Sequence, residues 1–457
     1  MIQGHLPTRQ EVDSIGAHAV PALALYGIQT QRAVELYPLG GAARFSDYPQ
    51  LLDAMLRVKK SAARTNIETG AIETALGEAI IRAIEGLLAE PRPEAFPVHA
   101  CHGGGGISFN MNINEVVANL ANAESFGSAF GSYAPIHPND HVNLNHSTAD
   151  CLSTGCHIAA HSAFESFSEE IEGLAVDLDR LGAEWAPLRK LARTCLQDAV
   201  DIGFEDYLGG VAACLRFNLA RASQDAEGLR RISLGGNIIG RSTDCDPAFF
   251  ARIIPVLNEQ LADAGLSAGL ARADNLFAAS QAHDRLLALT GSLEQTARTL
   301  IRFAKDLRLM ASGPHGGLGE IHLPAVQPGS SAIPGKVNPT IPEFMVQCAM
   351  MACGRAAAVV MTADHGEMDY NPWEAVVVTG ILDMVAVLKA GVSTLRRNCI
   401  EGMRPDVARN TDNATSLLPS LIRLKQLKGY SHASAVAKEA AGDLAFVRRR
   451  VAEAEAG

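Results

Sequence analysis

Aromatic residues are scarce in this chain of 457 residues, at 5%, and charged residues are few, at 19%. Ala and Leu carry most of the 47% hydrophobic content, which favours helix over sheet and excludes a chain disordered by composition. Basic residues are outnumbered. The 39 Lys+Arg face 50 Asp+Glu, a formal net charge of −11. No basic footprint exists to neutralise phosphates, so nucleic acid is not expected as a partner. Attraction to an anionic membrane surface is weak for the same reason. The nine Cys are odd in number and scattered, which argues against a disulfide framework and for a reducing cytoplasm. The opening MIQGHLPTRQEVDS has no apolar signal core, and no uncharged apolar run reaches about 18 residues. Neither a secretory signal nor a membrane span is therefore expected. The greasiest run, Ala375 to Val392, is broken by Asp383 and Lys389 and reads as a helix buried in protein.

Several catalytic signatures are also missing. There is no G-x-x-x-x-G-K-[ST] and no G-x-G-x-x-G between a strand and a helix, so neither a nucleoside triphosphate nor a dinucleotide is supported. No G-x-S-x-G elbow is present. The histidines number 14, yet His99/His102, His137/His141 and Cys151/Cys156/His157 fit no zinc-finger or H-E-x-x-H spacing. No metal and no cofactor is expected. Strand signals are sparse, without the alternating runs and turn dipeptides that a βαβ fold needs.

What is present is helical period. Leu76, Ile80, Ile84 and Leu87 continue a stripe from Ile72, and Leu289, Leu293, Leu300, Ala304 and Leu307 form another. From Glu343 to Asp364, and from Glu374 to Leu395, apolar residues lie almost all round the helix, as befits the middle of a bundle. Helices of twenty-odd residues span about 30 Å. The fold expected is all-α, with an N-terminal helical domain over 1–135, a long-helix bundle over 136–395 and a short C-terminal domain over 396–457.

Three polar segments interrupt the helices. Gly329-Ser330-Ser331-Ala332-Ile333-Pro334-Gly335-Lys336-Val337-Asn338-Pro339 gathers hydroxyls, a cation and an amide on a Gly/Pro-rich loop. Its spacing fits either a carboxylate site or an ordinary surface loop. In His141–Asp150, Ser147 or Thr148 is placed to cap the next helix, and a helix start is also an anion site. Gly103 to Gly106 precedes ISFNMNINEVVANLA and can form a backbone nest.

Together these segments resemble the aspartase/fumarase superfamily. GSSAIPGKVNPTIPE is similar to its signature loop, G-S-S-x-M-P-x-K-x-N. HPNDHVNLNHSTAD, GGGGISFNMNINEVVAN and RTCLQDAV are similar to its other motifs and occur in the same order. DLRLMASGPHGGLGEIHLPAVQPGSS resembles the aspartate ammonia-lyase branch, and the likeness extends to about residue 440. The resemblance implies an all-α homotetramer whose active sites each collect segments from three copies. It also implies anti-elimination next to a carboxylate through an aci-carboxylate, on a small-molecule carboxylate substrate. By the same likeness Ser330 is the base. Lys336 and Asn338 hold one carboxylate, while Ser331, Ser147 and Thr148 hold the one that becomes dianionic. Thr194 faces the leaving group, Asn110 lines the substrate site, and Glu343 matches a Glu that pairs with the His of the R-T-[HQ] motif.

The departures cluster at these motifs. Ile107 stands for a carboxylate-binding Thr, Phe109 for a small residue, Ala149 for an Asn and Cys195 for a His or Gln; Ile333 replaces Met. Asn237 and Arg241 are additions near Gly235, and Arg241 reads either as a replacement anion contact or as an ion-paired bundle residue. Losing the Thr and Asn donors turns the pocket away from plain aspartate or malate. The expected activity is release of ammonia or an amine from an aspartate-like or modified amino acid, giving a trans-unsaturated acid such as fumarate. A fumarase-type hydratase and a catalytically decayed tetramer with a structural or binding role are the competing readings.

Overall fold

The computed structural model describes residues 7–37 and 39–456. In chain order its helices are α1 (Ile28–Leu36), α2 (Pro49–Glu68), α3 (Thr74–Ala89), α4 (Ile107–Phe126), α5 (Thr148–Glu184), α6 (Phe204–Gly228), α7 (Pro247–Asp263), α8 (Leu276–Gln281), α9 (Asp284–Met310), α10 (Thr340–Met361), α11 (Glu374–Leu395), α12 (Val407–Ala414), α13 (Leu417–Lys428), α14 (Tyr430–Ala440) and α15 (Leu444–Ala456). The fold is all-α, as the periodicity indicates, and α11 has the bounds read from sequence. Four two-stranded ladders accompany the helices: β1 (Thr8–Asp13) with β2 (Gly16–Pro21), β3 (Arg189–Thr194) with β4 (Gln197–Gly203), β5 (Arg231–Ile232) with β6 (Ala271–Arg272), and β7 (Ile321–His322) with β8 (Arg404–Pro405).

The chain divides into two compact units, and α5, α6, α9, α10 and α11 each contribute residues to both. The first unit comprises Met1–Ser166, Arg221–Glu294 and Ala352–Ala386. Within it α2 packs on α3 and α7, and α3 packs on α4. The second comprises Phe167–Ala220, Gln295–Met351 and Val387–Gly457. Its C-terminal helices α13, α14 and α15 close around Leu424, Val436 and Val447.

Helix α11 is largely buried, with Val377, Val378, Ile381, Met384, Leu388 and Val392 inside. Helix α10 differs. Its Met345, Ala349, Ala352, Ala356 and Val359 are buried, while Phe344, Met350, Met351, Val360 and Met361 are exposed. Both helices are long and apolar enough to cross a membrane, and a core helix of a globular protein meets the same criterion.

Local chemistry fixes where elements start. Asp13 Oδ1 accepts the N–H groups of Ile15 (2.9 Å) and Gly16 (3.1 Å), closing the β1–β2 turn. Glu115 on α4 accepts the N–H groups of Gly27, Gln29 and Thr30 at 2.8–3.1 Å, which satisfies the start of α1. Gly106 precedes α4 at φ +82, and a Cβ there would lie 2.0 Å from Leu152 Cδ2. Backbone conformation and close approach both demand glycine. Gly106→Ala is expected to lose about 1–3 kcal/mol of stability in urea unfolding. A loss within experimental error would show that Leu152 and the backbone yield freely.

Candidate active site

In the second unit the loop Gly329–Asn338 is closed by its own backbone. Gly329 N–H donates to Lys336 O (2.8 Å), and Asn338 Nδ2 donates to Gly329 O (2.8 Å). A Cβ on Gly329 would meet Lys336 O at 2.6 Å and Asn338 N at 2.7 Å, so no larger residue fits this closure. The turn aims two donors at one oxygen. Ser330 Oγ accepts the N–H of Ala332 (3.1 Å) and of Ile333 (3.0 Å). Ser331 and Lys336 are exposed beside it. Glu343, in the first turn of α10, has Arg308 Nη2 at 3.3 Å as its ion-pair partner.

The R-T motif occupies the β3–β4 hairpin, which the sparse strand signal did not reveal. Thr194 ends β3 and pairs with Gln197, leaving Cys195 and Leu196 as a two-residue turn. Both have positive φ, +53 and +60, without the Asn-Gly chemistry that usually supplies such a turn. Thr194 and Cys195 are exposed at the tip.

The first unit holds the other segments. Ser147 caps α5: its Oγ accepts Ala149 N–H (3.1 Å), and Asp150 Oδ1 accepts Ser147 N–H (2.8 Å). Thr148 is the first helical residue, so capping and an available helix start coexist here. Asn110 is buried on α4, and its Nδ2 donates to Asn143 Oδ1 (3.0 Å), which brings the first and second motifs together. Asn110 Oδ1 has no donor among the described residues. Ile107 is half-exposed at the start of α4. Phe109 turns the other way, fully buried against Phe45 (ring centroids 4.4 Å) and His102 (4.5 Å). Its substitution is a matter of core packing. Asn237 also has a structural explanation, since it adopts φ +55. Arg241 is exposed and bridges to Asp244 Oδ1 (3.2 Å), the ion-paired reading of its role.

Beneath these residues lies a polar network that composition does not advertise. Lys59 is fully buried on α2 and donates to Asn143 Oδ1 (2.7 Å) and His146 Nε2 (2.9 Å). Burial lowers the Lys59 pKa, and burial with the Lys59 charge holds His146 well below the usual imidazole range. Asp150 accepts the N–H groups of Gly235 (3.1 Å) and Asn237 (3.0 Å) besides that of Ser147; burial raises its carboxyl to about 6. Glu374, at the start of α11, is buried, with Tyr370 Oη at 3.5 Å and His283 Nδ1 at 4.0 Å. Burial pushes Glu374 up to about 8. Tyr370 Oη also donates to Gly105 O (3.2 Å), tying this acid to the glycine loop. The sequence signals were faint: a Lys inside the α2 stripe and a Glu opening the most apolar run.

Residues 16–354 match a sequence family described as Lyase. The aspartate ammonia-lyase of Bacillus subtilis (strain 168) is 32% identical over 96% of this chain and 91% of its own length. The class II fumarate hydratase of Thermus aquaticus is 34% identical over 94% of this chain and 90% of its own. Among solved structures, the fumarate lyase:delta crystallin of Brucella melitensis in native form superposes with a TM-score of 0.88, at 35% identity over 97% of this chain and 100% of that one. The class II fumarase of Schistosoma mansoni gives 0.92 at 27% identity, over 98% and 95%. The chain belongs to the aspartase/fumarase superfamily of lyases. Relatives named for ammonia release and for fumarate hydration match it about equally.

The buried acids make stability depend on pH. With a folded pKa of about 8 against an ordinary 4.5, Glu374 favours the folded state below that lower value and loses the contribution as pH rises through about 8. Asp150 (about 6) and Glu115 (about 7) act in the same sense but are spent sooner. His157 and His283, held near 4 by burial, add stability as pH rises and are complete above their ordinary 6.5. Of these groups Glu374 contributes most between pH 7 and 8, while Glu115 finishes its titration at the lower end. Urea unfolding should show wild-type stability falling over that interval and a flatter profile for Glu374→Gln. Equal slopes would remove Glu374 as the source.

Proposed function

We propose that the protein is a carbon–nitrogen lyase that eliminates ammonia or a substituted amine from an aspartate-like amino acid and releases a trans-unsaturated carboxylate such as fumarate. The observation that carries this reading is the pair of backbone N–H groups aimed at Ser330 Oγ. A hydroxyl is a poor base, and it serves as one only when its alkoxide is stabilised by donors already in place. Each such donor contributes on the order of 3 kcal/mol where charge develops. In the proposed reaction Ser330 Oγ takes the proton from the carbon next to the amine-bearing carbon. The C–H electrons pass into the neighbouring carboxylate as an aci-dianion. Ser331, Ser147 and Thr148 hold that group, while Lys336 and Asn338 hold the other carboxylate. The C=C bond then forms as the C–N bond breaks, its electron pair leaving with the nitrogen opposite Thr194.

Two departures favour nitrogen over oxygen as the leaving atom. Expelling hydroxide requires an acid, and Cys195 offers only a thiol, a weak donor. An ammonium or alkylammonium group leaves as a neutral amine and needs none. Ala149 makes room for a substituent on that nitrogen, and the unpaired Asn110 Oδ1 is an acceptor for its N–H. Assembly into a homotetramer that shares its sites among copies belongs to the same proposal. The exposed apolar face of α10 supports it, because a second copy can cover what this chain leaves bare.

Ser330→Ala is expected to reduce turnover by at least about a thousandfold without changing the assembly state seen by light scattering. Activity within tenfold of wild type would remove Ser330 as the base. Incubation with fumarate alone, and with fumarate plus ammonia or small amines, separates the two leaving groups. An amine adduct is expected. Malate forming faster than any adduct would place the protein with the hydratases.

A further inference from the structure

Glu320 lies in the second unit just before β7, without any exposed surface, and none of the groups in the proposed reaction touches it. Its Oε1 accepts Arg193 Nη2 at 2.7 Å, and Asn413 Nδ2 is 3.4 Å from the same oxygen. Lys190 Nζ stands 4.0 Å from Oε2, an oxygen with no hydrogen bond among the described residues. Both cations belong to β3. The backbone of Glu320 is tied on the other side: its carbonyl accepts the N–H of Asp406 (2.9 Å) and Asn410 Nδ2 (2.7 Å), and its N–H donates to Met310 O (2.8 Å). Asp406 in turn caps α12 through Arg409 N–H (2.8 Å).

The β3–β4 hairpin packs on α12 and α13, outside support that a pair of strands, marginal alone in water, requires. The β3–β4 register shifts between Leu191 and Arg193, the kind of bulge that re-aims the side chains after it. Thr194 follows directly, and the turn beyond it places two non-glycine residues at positive φ. Such a turn persists only where its surroundings over-determine it. Arg193 is the residue next to Thr194, and its guanidinium is fixed by a buried carboxylate whose own backbone is clamped by α12. A buried ion pair adds little net stability, but it fixes geometry.

We propose that Glu320 is the positioning residue of the Thr194 hairpin, acting through Arg193, and that α12 sets its place. The proposal rests on the elimination reading for the role of Thr194. Glu320 sets where Thr194 meets the leaving group, and the C-terminal helices thereby bear on the site without touching substrate.

The test is Glu320→Gln, which keeps the shape and removes the charge. Amide hydrogen exchange over residues 189–203 should accelerate about tenfold or more, with the α9 core unchanged. Turnover should fall about a hundredfold with KM within about threefold, the mark of misplacement rather than lost binding. Exchange of the substrate's carbon-bound proton with solvent deuterium, the step of Ser330, should persist. Combined with Thr194→Val, Glu320→Gln should cost no more than Thr194→Val alone. Unchanged exchange in the hairpin, or fully additive losses in the double variant, would overturn the proposal. Should Glu320→Gln not fold, Arg193→Lys keeps the charge, loses the fork, and is expected to give the same pattern in weaker form. Hydrogen exchange needs no turnover. A wild-type protein that processes no amino acid counts against the elimination reading, and the exchange result alone then decides for or against the anchoring by Glu320.

Discussion

Desolvation of polar groups around the start of α5 is the constraint on which the first unit depends. Asp150 is buried with the Lys59 charge in its surroundings and is kept by three backbone N–H groups, from Ser147, Gly235 and Asn237. Gly235 and Asn237 share Oδ2 and Ser147 serves Oδ1, so losing a donor leaves the buried carboxylate less well satisfied. The helix cap, the loop around Gly235 and the turn at Asn237 are therefore positioned together. Lys59 does the same for the segment 143–146, whose Asn143 gathers Lys59, Asn110 and Asn114 on one oxygen. The polar motifs are held from below by the buried Lys59 and Asp150, while Asn110 and Ser147 belong both to this network and to the proposed substrate site.

This arrangement sorts the departures from the family pattern. Phe109 is absorbed by an aromatic cluster and Asn237 by a left-handed turn, so neither speaks to substrate. Arg241 meets a nearby Asp244. Ile107, Ala149, Cys195 and Ile333 have no such structural explanation, and each retains surface that a ligand can reach. In the proposed reaction these four are the departures open to a substrate, and Ile107 and Ala149 trade donors for apolar contact and space.

Most of the helical frame was legible. The stripe from Ile72 ends as α3, the run through Leu293 and Leu307 is α9, and the most apolar run is α11. Period 3.6 survives in sequence wherever one side of a helix is buried. The serine loop was legible as a Gly/Pro-rich turn, closed at Gly329, but its spacing fitted an ordinary surface loop equally well, and only the family resemblance gave Ser330 a role. The β3–β4 hairpin was not. Its turn residues, Cys195 and Leu196, carry none of the propensity that marks a positive-φ pair, and their conformation is imposed from elsewhere in the fold. The buried network was illegible for a related reason, since one Lys or one Glu within an apolar stretch looks like an interruption until its partners are known. Glu320 and Arg193 lie far apart in sequence, and nothing in either segment announces the other.

The bare face of α10 has a chemical side. Met350, Met351 and Met361 are thioethers open to solvent in the single chain. Flexible and polarisable, they adapt to whatever surface covers them. They are also the side chains most easily turned polar, because oxidation to the sulfoxide places a dipole where an apolar contact was. In the proposed tetramer a second copy lying on this face would shield these methionines from peroxide, and a dissociated copy would expose them. Oxidation of Met350, Met351 and Met361 in an unassembled chain would then hinder the assembly proposed above.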